Sequence, residues 1–265
     1  MPEDRADPRK APAARRRTVY GRRVGRALGP GRRRLVAEFL PRLRVTVPDG
    51  ADGGAGLDPR ALFAAPPPFA EGPRAGPVAD IWLEVGFGAG EHLLAQARAH
   101  PEVGFIGCEP FLNGIAALLA GIAAERLDNI RVFPDDARLL LDHLGEATLG
   151  RVFVLFPDPW PKARHAKRRF VSAPTLDALA RTMADGAELR VASDDRGYVR
   201  WTLRQVLAHP GFQWTAECAA DWRARPGDQA ETRYEAKARS GGGRPVFLAF
   251  RRRPRAGRPG PRQNT

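Results

Sequence analysis

An alternation of short apolar runs with longer stretches of helical spacing constrains this chain more than any other feature. From residue 81 onward each apolar run is a predicted strand, and most stretches between the runs are predicted helices. The seven predicted strands begin at Ile81, Val103, Ile130, Arg151, Ala187, Phe212 and Val246. Strands and helices in this order are typical of a parallel sheet. We therefore predict an α/β fold with a seven-stranded, mostly parallel sheet and helices on both faces.

Charge divides the chain into a folded body and two basic ends. Residues 1–44 carry a net charge of +10 and residues 251–265 carry +6, whereas the 206 residues between them sum to −3. Basic ends on a slightly acidic body are typical of arms that bind a polyanion such as nucleic acid. In chain order we predict a basic flexible arm (1–34), a docked segment with a Pro/Gly-rich linker (35–79), the α/β domain (80–252) and a basic tail (253–265).

The segment before the α/β domain carries two further predictions. Residues 35–47 contain a short apolar patch, for which we predict a strand that docks on the domain. Residues 48–77 hold seven prolines and six glycines, a composition typical of a loop without regular structure.

Several classes of protein are disfavoured by composition. The apolar run over residues 114–124 has only 11 members, too few to cross a membrane. Two cysteines, Cys108 and Cys218, cannot make a disulfide scaffold, which favours a reducing compartment such as the cytoplasm. The arginine-rich N-terminus has no apolar stretch behind it, so we expect no secretory signal. The five histidines are scattered, and we predict no metal site.

A glycine-rich turn follows the first predicted strand. Gly86, Gly88 and Gly90 have the spacing G-x-G-x-G, which differs from the G-x-G-x-x-G of dinucleotide sites. Glycines allow a tight turn and a close approach of the backbone to a ligand. This spacing favours an adenosine cofactor without a pyrophosphate, such as S-adenosylmethionine.

Acidic residues stand on or after three successive strands. Glu109 ends the second strand, where a carboxylate can accept two hydrogen bonds from a ribose diol. Asp136 follows the third strand, where a carboxylate can take an adenine amino group. Glu84 lies on the first strand, and we expect it to face the methionine part of the cofactor. Ligands in such sheets bind beyond the carboxyl ends of the strands, so these residues are candidates for one site.

The stretch after the fourth predicted strand is the most informative part of the sequence. Alternate prolines between residues 157 and 161 stiffen a loop that carries Asp158 and Trp160. Five cations follow within eight positions: Lys162, Arg164, Lys167, Arg168 and Arg169. A carboxylate and an aromatic ring beside cations suit a nucleic-acid base and its phosphates. The alternative is a solvated charge run in which Asp158 pairs with Arg164 or Arg168.

This loop closely resembles the FPDPWPKxRHxKRR signature of tRNA (guanine-N7-)-methyltransferases, and the resemblance covers about residues 18–252. It implies the bacterial single-chain type, with the Rossmann-like fold of class I S-adenosylmethionine-dependent methyltransferases. It also implies methyl transfer to N7 of a guanine in the tRNA variable loop, at position forty-six in tRNA nomenclature. Ser193 stands where threonine is usual in the family, and Ala163 and Ala166 replace residues that are often basic or polar.

The resemblance assigns roles to individual residues. The implied cofactor contacts are Glu84, Gly86, Gly88, Gly90, Glu109, Asp136 and Asp158. Asp158 also matches the family's proposed catalytic residue. The implied tRNA contacts are Lys162, Asp194, Thr232, Arg233, Tyr234 and Glu235. Without the resemblance, Asp194 or Asp195 is a candidate helix cap and residues 232–235 are a surface loop. Monomer and homodimer both remain open.

Three other functions compete with this interpretation. A nicotinamide-dependent dehydrogenase would use the same sheet with Glu109 on a ribose, but it leaves the cationic run unexplained. A non-catalytic RNA-binding protein would not need the intact glycine turn and Asp158. An amine methyltransferase acting on DNA or protein would carry Asn or Asp before Pro-Pro and an aromatic residue, unlike Asp158-Pro-Trp160.

Overall fold

Seven strands form one sheet, which confirms the predicted α/β alternation. The computed structural model of the protein describes residues 23–47, 56–64 and 76–255. The strands are β1 (Asp80–Val85), β2 (Val103–Cys108), β3 (Ile130–Phe133), β4 (Leu149–Leu155), β5 (Met183–Ser193), β6 (Phe212–Trp214) and β7 (Val246–Arg252). Their order in the sheet is β3-β2-β1-β4-β5-β7-β6. The first five strands pair in parallel and β7 runs antiparallel to β5 and β6, so the carboxyl ends of β1 to β5 share one edge.

Helices cover both faces of the sheet, as the apolar character of the strands requires. The helices are α1 (Pro30–Leu43), α2 (Glu91–Ala99), α3 (Leu112–Glu125), α4 (Ala137–His143), α5 (Ala173–Thr182), α6 (Arg196–Leu207), α7 (Ala220–Arg223) and α8 (Arg233–Ser240). Apolar residues of α1, α2 and α3 pack on one face, and those of α4, α5 and α6 pack on the other. A strand buried on both faces has no polar alternation, and all six residues of β2 are buried.

The predicted strand over residues 35–47 is wrong, because residues 35–43 belong to α1 and residues 44–47 follow its end. Val36, Phe39, Leu40 and Leu43 recur at the spacing of one helix face, and they pack against the core beside α3. Pro30 is well suited to the first position of the helix. The helix therefore crosses the predicted boundary at residue 34. Strand-like pairing is confined to a single bridge from Arg44 to Val132.

Part of the predicted irregular stretch over residues 48–77 is a docked 3-10 helix, Pro59–Phe63. Asp58 caps it by accepting a hydrogen bond from the backbone N–H of Arg60 at 3.0 Å. Phe63 is buried at the amino end of β2, where the absence of a side chain at Gly104 makes room for its ring. Residues 48–55 and 65–75 lie outside the described residues, as do the basic residues 1–22 and 256–265. None of the described helices combines the length and apolar character needed to span a membrane.

Candidate active site

A cavity of about 380 Å³ opens at the carboxyl edge of the sheet, above β1, β2 and β4. Its lining includes five predicted site residues from four strand ends: Gly86, Gly88, Glu109, Asp136 and Asp158. Parallel strands bring their ends to one edge, so residues far apart in sequence meet there. The volume lies within the usual range of about 300–1,000 Å³ for small-molecule sites.

The glycine turn depends on backbone conformations that other residues adopt with difficulty. Gly86, Gly88 and Gly90 have φ angles of +70°, +60° and +87°. A side chain at Gly86 would meet no protein atom within 4 Å, so the backbone there is open to a ligand. Glu109 holds the turn, since its carboxylate accepts hydrogen bonds from the backbone N–H groups of Gly88 and Phe111, each at 2.9 Å.

Burial raises the pKa of Glu109 above the usual value of a glutamate. The two backbone N–H donors lower this pKa, and the nearby carboxylates of Asp158 and Glu84 raise it further, but burial has the largest effect. The ionised form is the one that accepts hydrogen bonds from ribose hydroxyls. We expect affinity for S-adenosylhomocysteine to fall as pH falls through this raised pKa, at a higher pH than for an ordinary glutamate. Stability of the free protein has the opposite sign, because ionising a buried carboxyl on raising the pH costs free energy.

The measurement is the affinity for S-adenosylhomocysteine by titration calorimetry between about pH 8 and pH 5. The pH at which affinity falls is compared with the pKa range of ordinary carboxyl groups. Glu109→Gln is the control, because it removes the titrating group and should abolish that part of the pH dependence. An affinity for S-adenosylhomocysteine that is equal in the wild type and the variant at every pH would contradict a role for the ionised carboxylate.

Asp136 lines the cavity and also caps α4. Its carboxylate accepts from the backbone N–H of Arg138 at 3.0 Å and from the Arg138 guanidinium at 2.9 Å. Arg138 was not predicted as a site residue, yet it lines the cavity and donates to the carbonyl oxygen of Arg168 at 3.0 Å. It thereby connects the third strand end to the proline-rich loop. Asp135, beside Asp136, pairs with Arg23 at 3.0 Å.

Glu84, expected to face the methionine part of the cofactor, is buried beside His92 below the cavity lining. Its side chain is buried, it is not among the residues that line the cavity, and its carboxylate lies 2.8 Å from Nδ1 of buried His92 on α2. The cause is strand alternation: Val85 reaches the cavity, and the preceding residue points toward the opposite face. Glu84 therefore supports the base of α2 rather than the cavity wall.

The proline-rich loop after β4 is held in a strained conformation at the cavity. Phe156 and Trp160 have φ angles of +51° and +43°, which side-chain-bearing residues seldom adopt. Arg169 stabilises this shape by donating to the carbonyl oxygens of Pro159 and Trp160, each at 3.0 Å. Arg168 stacks over the Trp160 ring at 4.8 Å.

The predicted cationic run therefore divides into two groups. Arg168 and Arg169 shape the loop, whereas Lys162, Arg164 and Lys167 are exposed along the 3-10 helix Ala163–Arg168 and its start. Asp158 is exposed at the cavity, and among the described residues no lysine or arginine pairs with its carboxylate. The alternative in which Asp158 pairs with Arg164 or Arg168 is therefore not what the structure shows.

Thr232–Glu235 is the start of a helix rather than a surface loop. Thr232 accepts from the backbone N–H of Glu235 at 3.1 Å and so caps α8. The T-x-x-E spacing of a capping box was available in the sequence as a signal for this helix. Glu235 is fully buried and pairs with Arg239 at 2.9 Å and with Arg225 at 3.2 Å.

Within this segment only Tyr234 reaches the cavity. It lines the wall, half exposed, and a side chain at Gly88 would lie 3.1 Å from its ring. Arg233 points elsewhere and pairs with Glu91 at 2.5 Å. Asp195 is the residue that caps α6, by accepting from the backbone N–H of Tyr198 at 2.6 Å. Asp194 is thereby left exposed, and it lines a separate cavity.

Comparison with known proteins agrees with this geometry. A family model described as a putative methyltransferase matches residues 79–248. The crystal structure of the 16S rRNA methyltransferase KamB has a TM-score of 0.50 and 19% identity, and the match covers 66% of this chain and 88% of that chain. The family model makes this chain a methyltransferase, and the likeness to KamB gives it the Rossmann-like fold of class I.

Closer relatives give the family. A tRNA (guanine-N(7)-)-methyltransferase from Rhodospirillum rubrum is 55% identical over 241 residues, which cover 91% of this chain and 90% of that protein. The protein of the same name from Paramagnetospirillum magneticum is 50% identical, over 92% of this chain and 96% of that one. The chain belongs to the tRNA (guanine-N(7)-)-methyltransferase family. This membership decides against the dehydrogenase hypothesis.

Proposed function

We propose that this protein transfers the methyl group of S-adenosylmethionine to N7 of a guanine in tRNA and so forms 7-methylguanosine. The observation that carries the proposal is the position of Asp158. Its exposed carboxylate has no cationic partner among the described residues, and it lines the same cavity as Glu109 and the glycine turn. The names of the relatives support this activity. We place the target in the variable loop, at position forty-six, and the enzyme in the cytoplasm.

The residues of the cavity fit S-adenosylmethionine. Glu109 offers a carboxylate for the ribose diol, the glycine turn offers open backbone, and the Asp136 carboxylate in the cavity lining keeps unused lone pairs for the adenine. When bound, the cofactor supplies an electrophilic methyl group on a sulfonium. Glu84 supports this site through His92 rather than by lining it.

Guanine N7 carries a free lone pair and no proton, so its methylation needs no general base. The protein must therefore hold the base in position and stabilise the positive charge that develops on the purine. At about 4 Å and an effective dielectric constant of about 20, a carboxylate stabilises such a charge by roughly 4 kcal/mol. We assign this electrostatic role to Asp158. Its oxygens can also accept from N1–H and the amino group of guanine, which would select guanine over adenine.

Other residues are assigned to the RNA. Tyr234 is a residue of α8 whose side chain lines the cofactor cavity, and its ring offers a face for stacking against a base. Asp194 lines the adjacent cavity, whereas Thr232, Arg233 and Glu235 fix α8 in place through the contacts described above.

We propose that the basic residues 1–22 and 256–265 add sequence-independent phosphate contacts. The salt dependence of tRNA affinity in a chain that lacks residues 1–22 tests this role.

Lys162 is expected to act on RNA binding rather than on chemistry, because its side chain is exposed at the rim of the loop that carries Asp158. We expect Lys162→Ala to raise the KM for tRNA by about tenfold, the scale of one lost charged contact, with little change in kcat. Lys162→Arg keeps the charge and should restore the KM. An unchanged KM for tRNA in Lys162→Ala would remove this residue from the binding surface.

The test of the proposed function is methyl transfer from labelled S-adenosylmethionine to unmodified bulk tRNA, followed by nucleoside analysis. Label in 7-methylguanosine supports the reaction, cofactor and substrate together. Label in another nucleoside would overturn the assignment of guanine N7. Absence of label from RNA, in protein that S-adenosylhomocysteine stabilises, would overturn the RNA substrate and favour DNA or protein.

A further inference from the structure

A second cavity, of about 640 Å³, lies at the same edge of the sheet beyond β5 and β7. Cations dominate its lining, and α6, α7, α8 and the segment before β7 all contribute one or more. The arginines of the lining are Arg196, Arg200, Arg223, Arg239 and Arg244. Asp194 is the single acidic residue of the lining. Converging cations from four elements make this cavity strongly electropositive.

Four of these five arginines form no ion pair within the part of the chain that the structure describes. Arg239 is held by buried Glu235 at 2.9 Å. The other four arginines of the lining are exposed, and none of them forms an ion pair with any carboxylate among the described residues. Four neighbouring guanidinium groups repel one another, and a bound anion would relieve this repulsion. Their planar forks suit phosphate oxygens in particular.

The cavity continues into a groove and offers an aromatic surface. A hollow of about 540 Å³ shares Arg223 and Arg239 with it and adds Arg225. Trp222 is partly buried against the core, lines the cavity and lies under the Arg223 guanidinium at 4.7 Å. The combination of a cationic track and an aromatic ring is typical of surfaces that bind single-stranded nucleic acid.

The arginine-lined cavity and the methyltransferase cavity both lie at the carboxyl edge of the sheet, and α8 contributes a side chain to each. Tyr234 lines the methyltransferase cavity and Arg239 lines the arginine-lined one, and both are on α8. The two residues are five positions apart in sequence, which corresponds to about 7.5 Å along the helix axis. This distance is comparable with the length of one nucleotide. The ends of β4 and β5 are also joined, because the backbone N–H of Phe156 donates to Ala192 at 2.8 Å.

We propose that the arginine-lined cavity is a phosphate-binding subsite that holds the RNA backbone next to the target nucleotide. The proposal rests on the proposed function and extends it to residues without an assigned role: Arg196, Arg200, Arg223 and Arg244. Contacts to phosphate position a nucleic acid without reading its sequence. The subsite would therefore set the register of the RNA against Asp158 and Tyr234, whatever the flanking bases.

The test compares Arg200→Ala with Arg60→Ala. Both residues are exposed arginines without an ion pair among the described residues, but Arg60 lies on the 3-10 helix near the amino end of β2. Affinity for unmodified tRNA is measured by fluorescence anisotropy at several salt concentrations. We expect Arg200→Ala to weaken binding about tenfold at low salt. The slope of log affinity against log salt should become shallower by about 0.7–0.9. In the double variant Arg200→Ala with Arg244→Ala, this change in slope should be about twice as large.

Stabilisation by S-adenosylhomocysteine, measured by thermal shift, should equal that of the wild type in every variant and so shows that the first cavity is intact. Equal salt slopes for the wild type, Arg200→Ala and the double variant would overturn the subsite. A weaker affinity with an unchanged slope would also overturn it. The proposed function fails separately: if the wild type forms no 7-methylguanosine yet Arg200→Ala still flattens the slope, the phosphate subsite stands and only the base assignment is lost.

Discussion

Asp158→Asn is expected to lower kcat for 7-methylguanosine formation by about 10²-fold or more, the scale of losing one preorganised electrostatic group. The substitution keeps the shape of the side chain and removes its charge. The structure supports a large effect, because no cation among the described residues neutralises this carboxylate and the strained loop around it is stiffened by prolines and Arg169. The measurement is single-turnover methyl transfer at saturating tRNA and cofactor.

A matched variant separates this effect from a general change in charge. Glu146→Gln neutralises an exposed carboxylate that precedes β4, at the opposite edge of the sheet. We expect it to retain wild-type kcat. Near-normal turnover of Asp158→Asn would remove Asp158 from the mechanism, while an equal melting temperature for both variants would show that the fold is intact.

Gly114→Ala is expected to have the second large effect, through packing rather than chemistry. Gly114 is a buried residue of α3, and a side-chain carbon there would lie 2.1 Å from the carbonyl oxygen of Gly88 in the glycine turn. Either α3 or the turn must move. We expect the free energy of unfolding to fall by about 1–3 kcal/mol, as in other overpacked sites. The same overpacking displaces the glycine turn, and a cost of about 1.4 kcal/mol to cofactor binding corresponds to an affinity for S-adenosylhomocysteine that is about tenfold weaker.

Gly31→Ala is the control for this prediction. Gly31 lies in the exposed first turn of α1, and a side chain there meets no protein atom within 4 Å. Alanine is the better helix former, so this variant should gain up to about 1 kcal/mol of stability. Opposite signs for the two substitutions are the expected result of denaturant unfolding. Wild-type stability and cofactor affinity in Gly114→Ala would show that α3 does not hold the turn in place.

The sheet and most of the cavity lining can be predicted from the amino-acid sequence. Strand existence follows from apolar runs, and the predicted starts of β2 and β3, at Val103 and Ile130, agree with the structure. Glu109, Asp136 and Asp158 were found because parallel strands end at one edge, so strand ends could be read as one site. The family was also accessible, because the loop after β4 carries a long and specific signature.

The error at α1 came from composition. The arginines up to Arg34 mask the helical spacing of four apolar residues, which are Val36, Phe39, Leu40 and Leu43. These residues share one face of the helix, and that face is covered by α3 in the folded protein. Propensity is a weak guide for such a segment, because tertiary packing supplies most of the stability of an amphipathic helix.

The contacts of individual side chains, in contrast, follow from how the elements pack together. Glu84 contacts His92, Arg168 and Arg169 hold the proline-rich loop in shape, and Asp195 rather than Asp194 caps α6. The arginine-lined cavity joins residues from position 194 to position 246 that share no motif. The physical reason is that spacing along a chain determines which backbone element forms, whereas a side chain's partner depends on atoms that are brought near it by other elements.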